Sequence, residues 1–162
     1  MRALSIQVET AERKRSELVM RAPISAADAV QLNESPSARR VLVIDDDRDV
    51  ADSLAMLLDV LGCDVRTAYS GAVGVSLVSD FQPRIVFLDI GMPEMNGYET
   101  ARRIRNKPAG RQAQLIAVTG WGQDLDKKRT REAGFDRHLV KPADIDILEE
   151  ILAACGEESQ QV

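Results

Sequence analysis

The stretch Ile85-Val86-Phe87-Leu88-Asp89-Ile90-Gly91-Met92-Pro93-Glu94-Met95-Asn96-Gly97 decides how this chain folds. Four apolar residues in a row are too few for a helix and fit a strand buried on both faces. An ionisable residue, Asp89, ends the run where the apolar pattern does not call for one. Gly91, Pro93 and Gly97 then make a loop that can leave Asp89 accessible, and Gly97 opens a helix holding Ala101 and Ile104.

Three other short apolar runs end in the same way. Val41-Leu42-Val43-Ile44 precedes the acidic run Asp45-Asp46-Asp47, Leu115-Ile116-Ala117-Val118 precedes Thr119, and His138-Leu139-Val140 precedes Lys141. If the four runs are neighbouring parallel strands, carboxylates, a hydroxyl and an ammonium converge on one sheet edge, which is where open α/β folds place their sites.

Amphipathic stretches separate the runs. Val50, Leu54, Leu57, Leu58 and Leu61 form one helical stripe, and Gly62 supplies its left-handed stop. Val65 to Ala68 reads as a further strand, and Ser70 caps a helix carrying Ala72, Val73, Leu77 and Val78. Pro83 closes the connection into the strand that ends at Asp89. Gly120-Trp121-Gly122 leads into a highly charged helix ended by Gly134, and Leu148, Ile151, Leu152 and Cys155 form the apolar face of a last helix. Five βα units therefore fit within residues 41 to 156, predicting an α/β fold with a doubly wound parallel five-stranded sheet.

Residues 1–38 read as an N-terminal extension. They are polar, carry the breakers Pro23 and Pro36, and offer at most a short helix from Ser25 to Leu32. The folded domain is expected over residues 39–156, with 157–162 as a tail and no output domain after Gly156.

The bulk composition narrows the class. At 162 residues and 44% hydrophobic content there is material for one ordinary domain with a real core. A net charge of -5 argues against a nucleic-acid surface, which needs clustered cations to displace counterions. Lys127-Lys128-Arg129, preceded by Asp124 and Asp126, reads as a solvated helix face. Cys63 and Cys155 lie in no metal-ligand spacing and read as reduced structural thiols. No apolar stretch approaches the roughly 20 residues that span a bilayer, and the N-terminus lacks a signal-peptide core. A soluble cytoplasmic protein is expected.

The polar edge has a chemistry of its own. Two carboxylates about 4 Å apart repel by about 4 kcal/mol at an effective dielectric of 20, so Asp45, Asp46 and Asp89 together call for a cation. Oxygen-only ligands in a small site suit Mg²⁺ or Mn²⁺ and nothing here suits zinc. Lys141 supplies a point charge and Thr119 a hydroxyl for the oxygens of a phosphoryl group, and Asp89 is the candidate nucleophile for an aspartyl phosphate.

The order of "VLVIDDD", "IVFLDIGMPEMNGYE", "LIAVTGWG" and "HLVKP" resembles the receiver domain of two-component response regulators across residues 39 to 156. The resemblance implies a (βα)5 flavodoxin-like, chemotaxis-regulator-like fold. It also implies that Asp89 accepts a phosphoryl group from a phosphohistidine of a histidine kinase or phosphotransfer protein. It implies that Asp46 ligates Mg²⁺ directly, that Asp45 acts mainly through a water, and that the Gly91 carbonyl completes the protein ligands. Lys141 would pair with the phosphoryl group, and Thr119 would move toward it and switch the surface around the fourth helix and fifth strand. A cis peptide before Pro142 follows from the same match, and a phosphorylation-linked homodimer and a downstream protein target are in keeping with it. One position departs: three residues before the lysine the family usually carries Tyr or Phe, and here stands His138, a smaller ring that titrates near neutrality. Trp121 is the alternative aromatic for the switch surface.

Other readings stay beside this one. The acidic run could serve only as the cap and first turn of a helix. His138 reads as a packed strand residue rather than a catalyst, and Tyr98, Met92 and Met95 as packing residues. A phosphohydrolase with an aspartyl nucleophile would favour a second Asp two residues on, where this chain has Gly91. A degenerate receiver acting as an unphosphorylated binding module is the third reading. The "HLVKP" and "TGWG" wording resembles receivers of hybrid kinases, so both a stand-alone regulator and a hybrid-kinase receiver are open.

Overall fold

The computed structural model describes residues 39–120 and 127–157, with the side chains of 127, 156 and 157 left aside. The expected N-terminal extension 1–38, Trp121 and nearly all of the 157–162 tail lie outside the described residues.

Five strands, β1 (Arg40–Ile44), β2 (Asp64–Ala68), β3 (Ile85–Asp89), β4 (Gln114–Thr119) and β5 (Arg137–Val140), form one sheet in the order β2-β1-β3-β4-β5. All four pairings are parallel. The helices are α1 (Arg48–Val60), α2 (Gly71–Phe81), α3 (Gly97–Arg105), a short α4 (Pro108–Gln112), α5 (Lys127–Ala133) and α6 (Ile145–Glu157). The strand order reverses between β1 and β3, which makes the crevice beyond their carboxyl ends the switch point of the sheet.

Every residue of β3 is buried, as a central parallel strand requires. Alternation along the strands then builds two cores. Leu42, Ile44, Val86, Leu88, Leu115 and Ala117 pack with Val78 and Phe81 of α2 and with Ala101 and Ile104 of α3. Val41, Val43, Ile85, Phe87, Ile116, Val118 and Leu139 face the opposite way and pack with Leu54 and Leu58 of α1 and with Leu148 and Ile151 of α6. Fully burying each Leu or Ile is worth about 1.5–3 kcal/mol, so these two layers hold the helices to the sheet.

The helix ends follow local chemistry. Asp47, Ser70 and Asn96 cap α1, α2 and α3 by accepting backbone N–H bonds. Gly62 and Gly134 take positive φ after α1 and α5, where other residues would be strained.

The face of α2 differs from the expectation. Ala72 and Val73 are exposed, and the buried stripe is Gly71, Gly74, Val78 and Phe81. A Cβ on Gly74 would stand 2.4 Å from Ile44 Cδ1, so the missing side chain is what lets the helix backbone press on β1. Apolarity alone cannot signal this, because the contact depends on absent bulk. In α1 the buried positions are Ala51, Leu54 and Leu58, with Val50, Leu57 and Leu61 only partly covered. The short α4 has no sustained period to announce it and is set by Pro108 at its start.

One polar residue ties the amino ends of β4 and β5 together. Arg105 donates from Nε to the Gly134 carbonyl at 2.8 Å and from Nη1 to the carbonyls of Gly110 and Ala113, each at 2.7 Å. Its Nη2 lies 2.6 Å from Asp136 Oδ2, which also accepts from Leu115 N at 2.7 Å. Replacing Arg105 by Ala strips a charged donor from all four acceptors. We expect a loss of about 2–3 kcal/mol in urea denaturation, with Lys recovering little because it lacks the planar fork.

Candidate functional site

The residues singled out by the sequence meet at the carboxyl edge of the sheet. Ile44 pairs with Leu88, and Asp89 with Val118, so Asp45 and Asp89 leave adjacent strands side by side. Carboxylate oxygens of Asp45, Asp46 and Asp89 all lie within 4.8 Å of one another. Asp45 and Asp89 are buried, at 4% and 6% exposure, while Asp46 is open to solvent.

The acidic run divides its labour. Asp47 does not join the cluster; its Oδ1 accepts from Asp49 N at 3.0 Å and Val50 N at 3.3 Å and caps α1. Asp45 Oδ1 in turn accepts from Asp47 N at 3.0 Å, which fixes the turn between strand and helix. The capping reading thus holds for the third aspartate alone.

Lys141 reaches in from the end of β5. Its Nζ is 2.6 Å from Asp45 Oδ2 and 2.8 Å from Asp89 Oδ1, bridging the two buried carboxylates. Lys141 N donates to the Thr119 carbonyl at 2.7 Å, and the Lys141–Pro142 peptide is cis. Thr119, 3% exposed, donates its hydroxyl to the Leu139 carbonyl at 3.4 Å, a long bond that holds the group weakly.

The electrostatics follow from burial. Asp45 has its pKa raised above the ordinary carboxylate value, first by loss of solvent and then by the Asp89 charge, against the pull of Lys141. For Lys141 burial works to lower the pKa, but its hydrogen bonds to Asp45 and Asp89 and their charges outweigh it, and the net shift is upward. The ammonium therefore stays charged at neutral pH.

Two other expectations meet the structure differently. His138 is exposed on the edge strand opposite Ala117, not packed, because β5 has no further strand beyond it and only Leu139 of the strand turns inward to the core. The charged helix is not wholly solvated either: the Arg129 guanidinium lies 4.3 Å from the centre of the Tyr98 ring, which meets Phe135 edge-on. Tyr98 and Met92 are buried as packing residues. Gly91 follows Asp89 by two positions and is exposed in the β3–α3 loop.

The doubly wound sheet thus carries three carboxylates, a threonine hydroxyl and a lysine at its switch point. The chain belongs to the response regulator receiver domain family, whose model matches residues 41–153. It is 33% identical over 111 residues to protein PilG of Pseudomonas aeruginosa, covering 68% of this chain and 82% of that one. Among solved structures, a CheY-like receiver domain from Methylobacillus flagellatus is 30% identical, with a TM-score of 0.66 over 72% of this chain and 98% of its own. The receiver domain of a sensor histidine kinase from Pseudomonas aeruginosa, solved with a magnesium ion coordinated in its active site cleft, shares the fold at 24% identity. Its TM-score is 0.67 over 74% of this chain and 98% of its own. The five-stranded flavodoxin-like receiver fold is thus established. Among the described residues no helix is long and apolar enough to cross a membrane.

Proposed function

We propose that residues 39–156 form the phosphoacceptor domain of a two-component phosphorelay. Asp89 takes the phosphoryl group of a phosphohistidine on a histidine kinase or phosphotransfer protein. A carboxylate oxygen of Asp89 forms the new P–O bond as the P–N bond breaks and the imidazole leaves with its electron pair. The observation that carries this reading is the position of Asp89, buried yet 2.8 Å from the Lys141 ammonium and grouped with Asp45 and Asp46.

The donor set fits a small hard cation: three carboxylates, oxygen only, with one ammonium against them. Asp45, Asp46, Asp89 and the Gly91 carbonyl would hold Mg²⁺ or Mn²⁺, and the ion supplies charge neutralisation between the carboxylates and the incoming phosphoryl oxygens. Lys141 exchanges its Asp89 contact for a phosphoryl oxygen. Thr119 gives up its long bond to Leu139 and turns its hydroxyl to the same group, which carries the change to the α5–β5 surface. His138 stands there, exposed on β5. The module passes its state to a downstream protein, with a phosphorylation-linked homodimer as one form of that output. Its only catalysis is its own phosphorylation and slow dephosphorylation, in the cytoplasm.

Incubation with Mg²⁺ and acetyl phosphate, or with a phosphorylated kinase donor, should add the mass of one phosphoryl group. No addition with either donor overturns the reading, and steady phosphate release from varied monoesters would replace it with a hydrolase.

A stability measurement tests the metal assignment separately. Because folding raises the pKa of Asp45, its stabilising contribution is fully present below the unfolded carboxylate value and is lost as pH rises through the folded one. At a pH above the folded value the ionised group therefore costs stability. Asp45→Asn should raise the thermal midpoint of the protein in a chelator, and should abolish the upward shift that Mg²⁺ gives wild type.

A further inference from the structure

The opposite end of the sheet carries a cavity that the acidic edge does not explain. It has a volume of about 640 Å³ and lies where α4 and α5 meet the amino ends of β4 and β5. Five steps along β4 at about 3.3 Å each place it roughly 16 Å from Thr119. Its apolar wall is Ala113 and Phe135, both buried, and its polar rim is Arg105, Arg111, Arg131 and Gln112.

The charges on that rim do not cancel. Asp136 also lines the cavity, but its Oδ2 is already taken by Arg105 at 2.6 Å and by Leu115 N at 2.7 Å. Arg105 is likewise held by the carbonyls of Gly134, Gly110 and Ala113. Arg111 Nε donates to the Arg105 carbonyl at 3.3 Å, which anchors its stem and directs the guanidinium at the rim. Among the described residues no ion pair engages Arg111 or Arg131. Two guanidiniums without an ion pair among the described residues thus stand at one cavity mouth in a chain whose net charge is -5.

We propose that this cavity binds a small phosphorylated metabolite, a di-anionic or more highly charged phosphate ester, with Arg111 and Arg131 as its phosphate ligands. The planar guanidinium matches phosphate oxygens two at a time. The volume lies in the range of about 300–1,000 Å³ typical of small-molecule sites. Gln112 adds an amide, and the Ala113–Phe135 wall receives the non-phosphate part. A nucleic acid would need a longer basic track than two arginines provide.

The test uses the full chain in a chelator, so that no metal-bridged phosphate can form at the acidic edge. Isothermal titration with pyrophosphate and with ADP should give one saturable site, weaker for citrate. Arg111→Gln and Arg131→Gln, both exposed, should each weaken it about tenfold or more with the thermal midpoint unchanged. Asp89→Asn should bind as wild type does. Absence of saturable binding, wild-type affinity in either arginine variant, equal affinity for citrate, or tighter and steeply salt-dependent binding of an oligonucleotide would each overturn the proposal.

Discussion

Asp89→Asn is expected to hold no phosphoryl group under conditions in which wild type gains one by intact mass. The amide has nearly the shape of the carboxylate but lacks the anionic oxygen that attacks phosphorus, so the variant should stay at the background of a donor-free sample. Loss of folding will not account for this result. Asp89 is 6% exposed and shares Lys141 with Asp45, so removing its charge relieves repulsion within the cluster while Lys141 keeps a partner at 2.6 Å. The thermal midpoint of the variant in a chelator should equal or exceed that of wild type. Lys141→Ala makes the informative contrast, because it keeps the nucleophile and removes the charge that meets the transferred oxygens. A slowing of about 10²–10³ is the scale for losing one such donor. Phosphate found on Asp89→Asn at another carboxylate would move the acceptor to Asp45 or Asp46.

Gly97→Ala should damage both stability and phosphoryl uptake. Gly97 begins α3, and its N–H donates to the Ile90 carbonyl at 3.1 Å, so the helix starts directly against the end of β3. A methyl there would lie 2.3 Å from the Asp89 carbonyl oxygen and 2.7 Å from Ile90 Cα. These are backbone atoms with no rotamer to yield. The helix or the end of β3 has to move, at a cost of about 1–3 kcal/mol or more, and movement of β3 displaces Asp89 from Lys141. Urea denaturation measures the first effect and the rate of acetyl phosphate uptake the second. Ile104→Val, a core change costing about 0.5–1.5 kcal/mol, should leave uptake intact. Equal loss of uptake in both variants would mean that stability alone is responsible.

Much of this was legible in the order of residues. Three strands of the site, β1, β3 and β4, read as apolar runs because they are buried on both faces, the edge strand β5 buries only Leu139, and each of the four leads to a polar residue that burial alone would not select. Asp47, Ser70 and Asn96 stand where capping chemistry is local, so the beginnings of α1, α2 and α3 follow from neighbours in sequence. Less legible were contacts made by what is missing or distant. Gly74 packs through its lack of a side chain, and α4 is too short for a period to appear. The Arg105 fork joins residues up to 31 positions apart. His138 stands exposed because β5 is the edge strand, a fact of sheet order that no window around the residue contains.

The sequence by itself determined that five βα units alternate here and that Asp45, Asp46, Asp89, Thr119 and Lys141 end or follow their strands, because strand burial, turn chemistry and the family motifs are all written locally. Only the tertiary structure decided how those groups share charge. It gave Asp47 to the cap of α1, set Lys141 between Asp45 and Asp89, and gathered Arg111 and Arg131, which form no ion pair among the described residues, at the opposite end of the sheet. The physical reason is that Coulomb and desolvation energies depend on distances across the sheet, and those distances exist only once the parallel register has brought remote segments together.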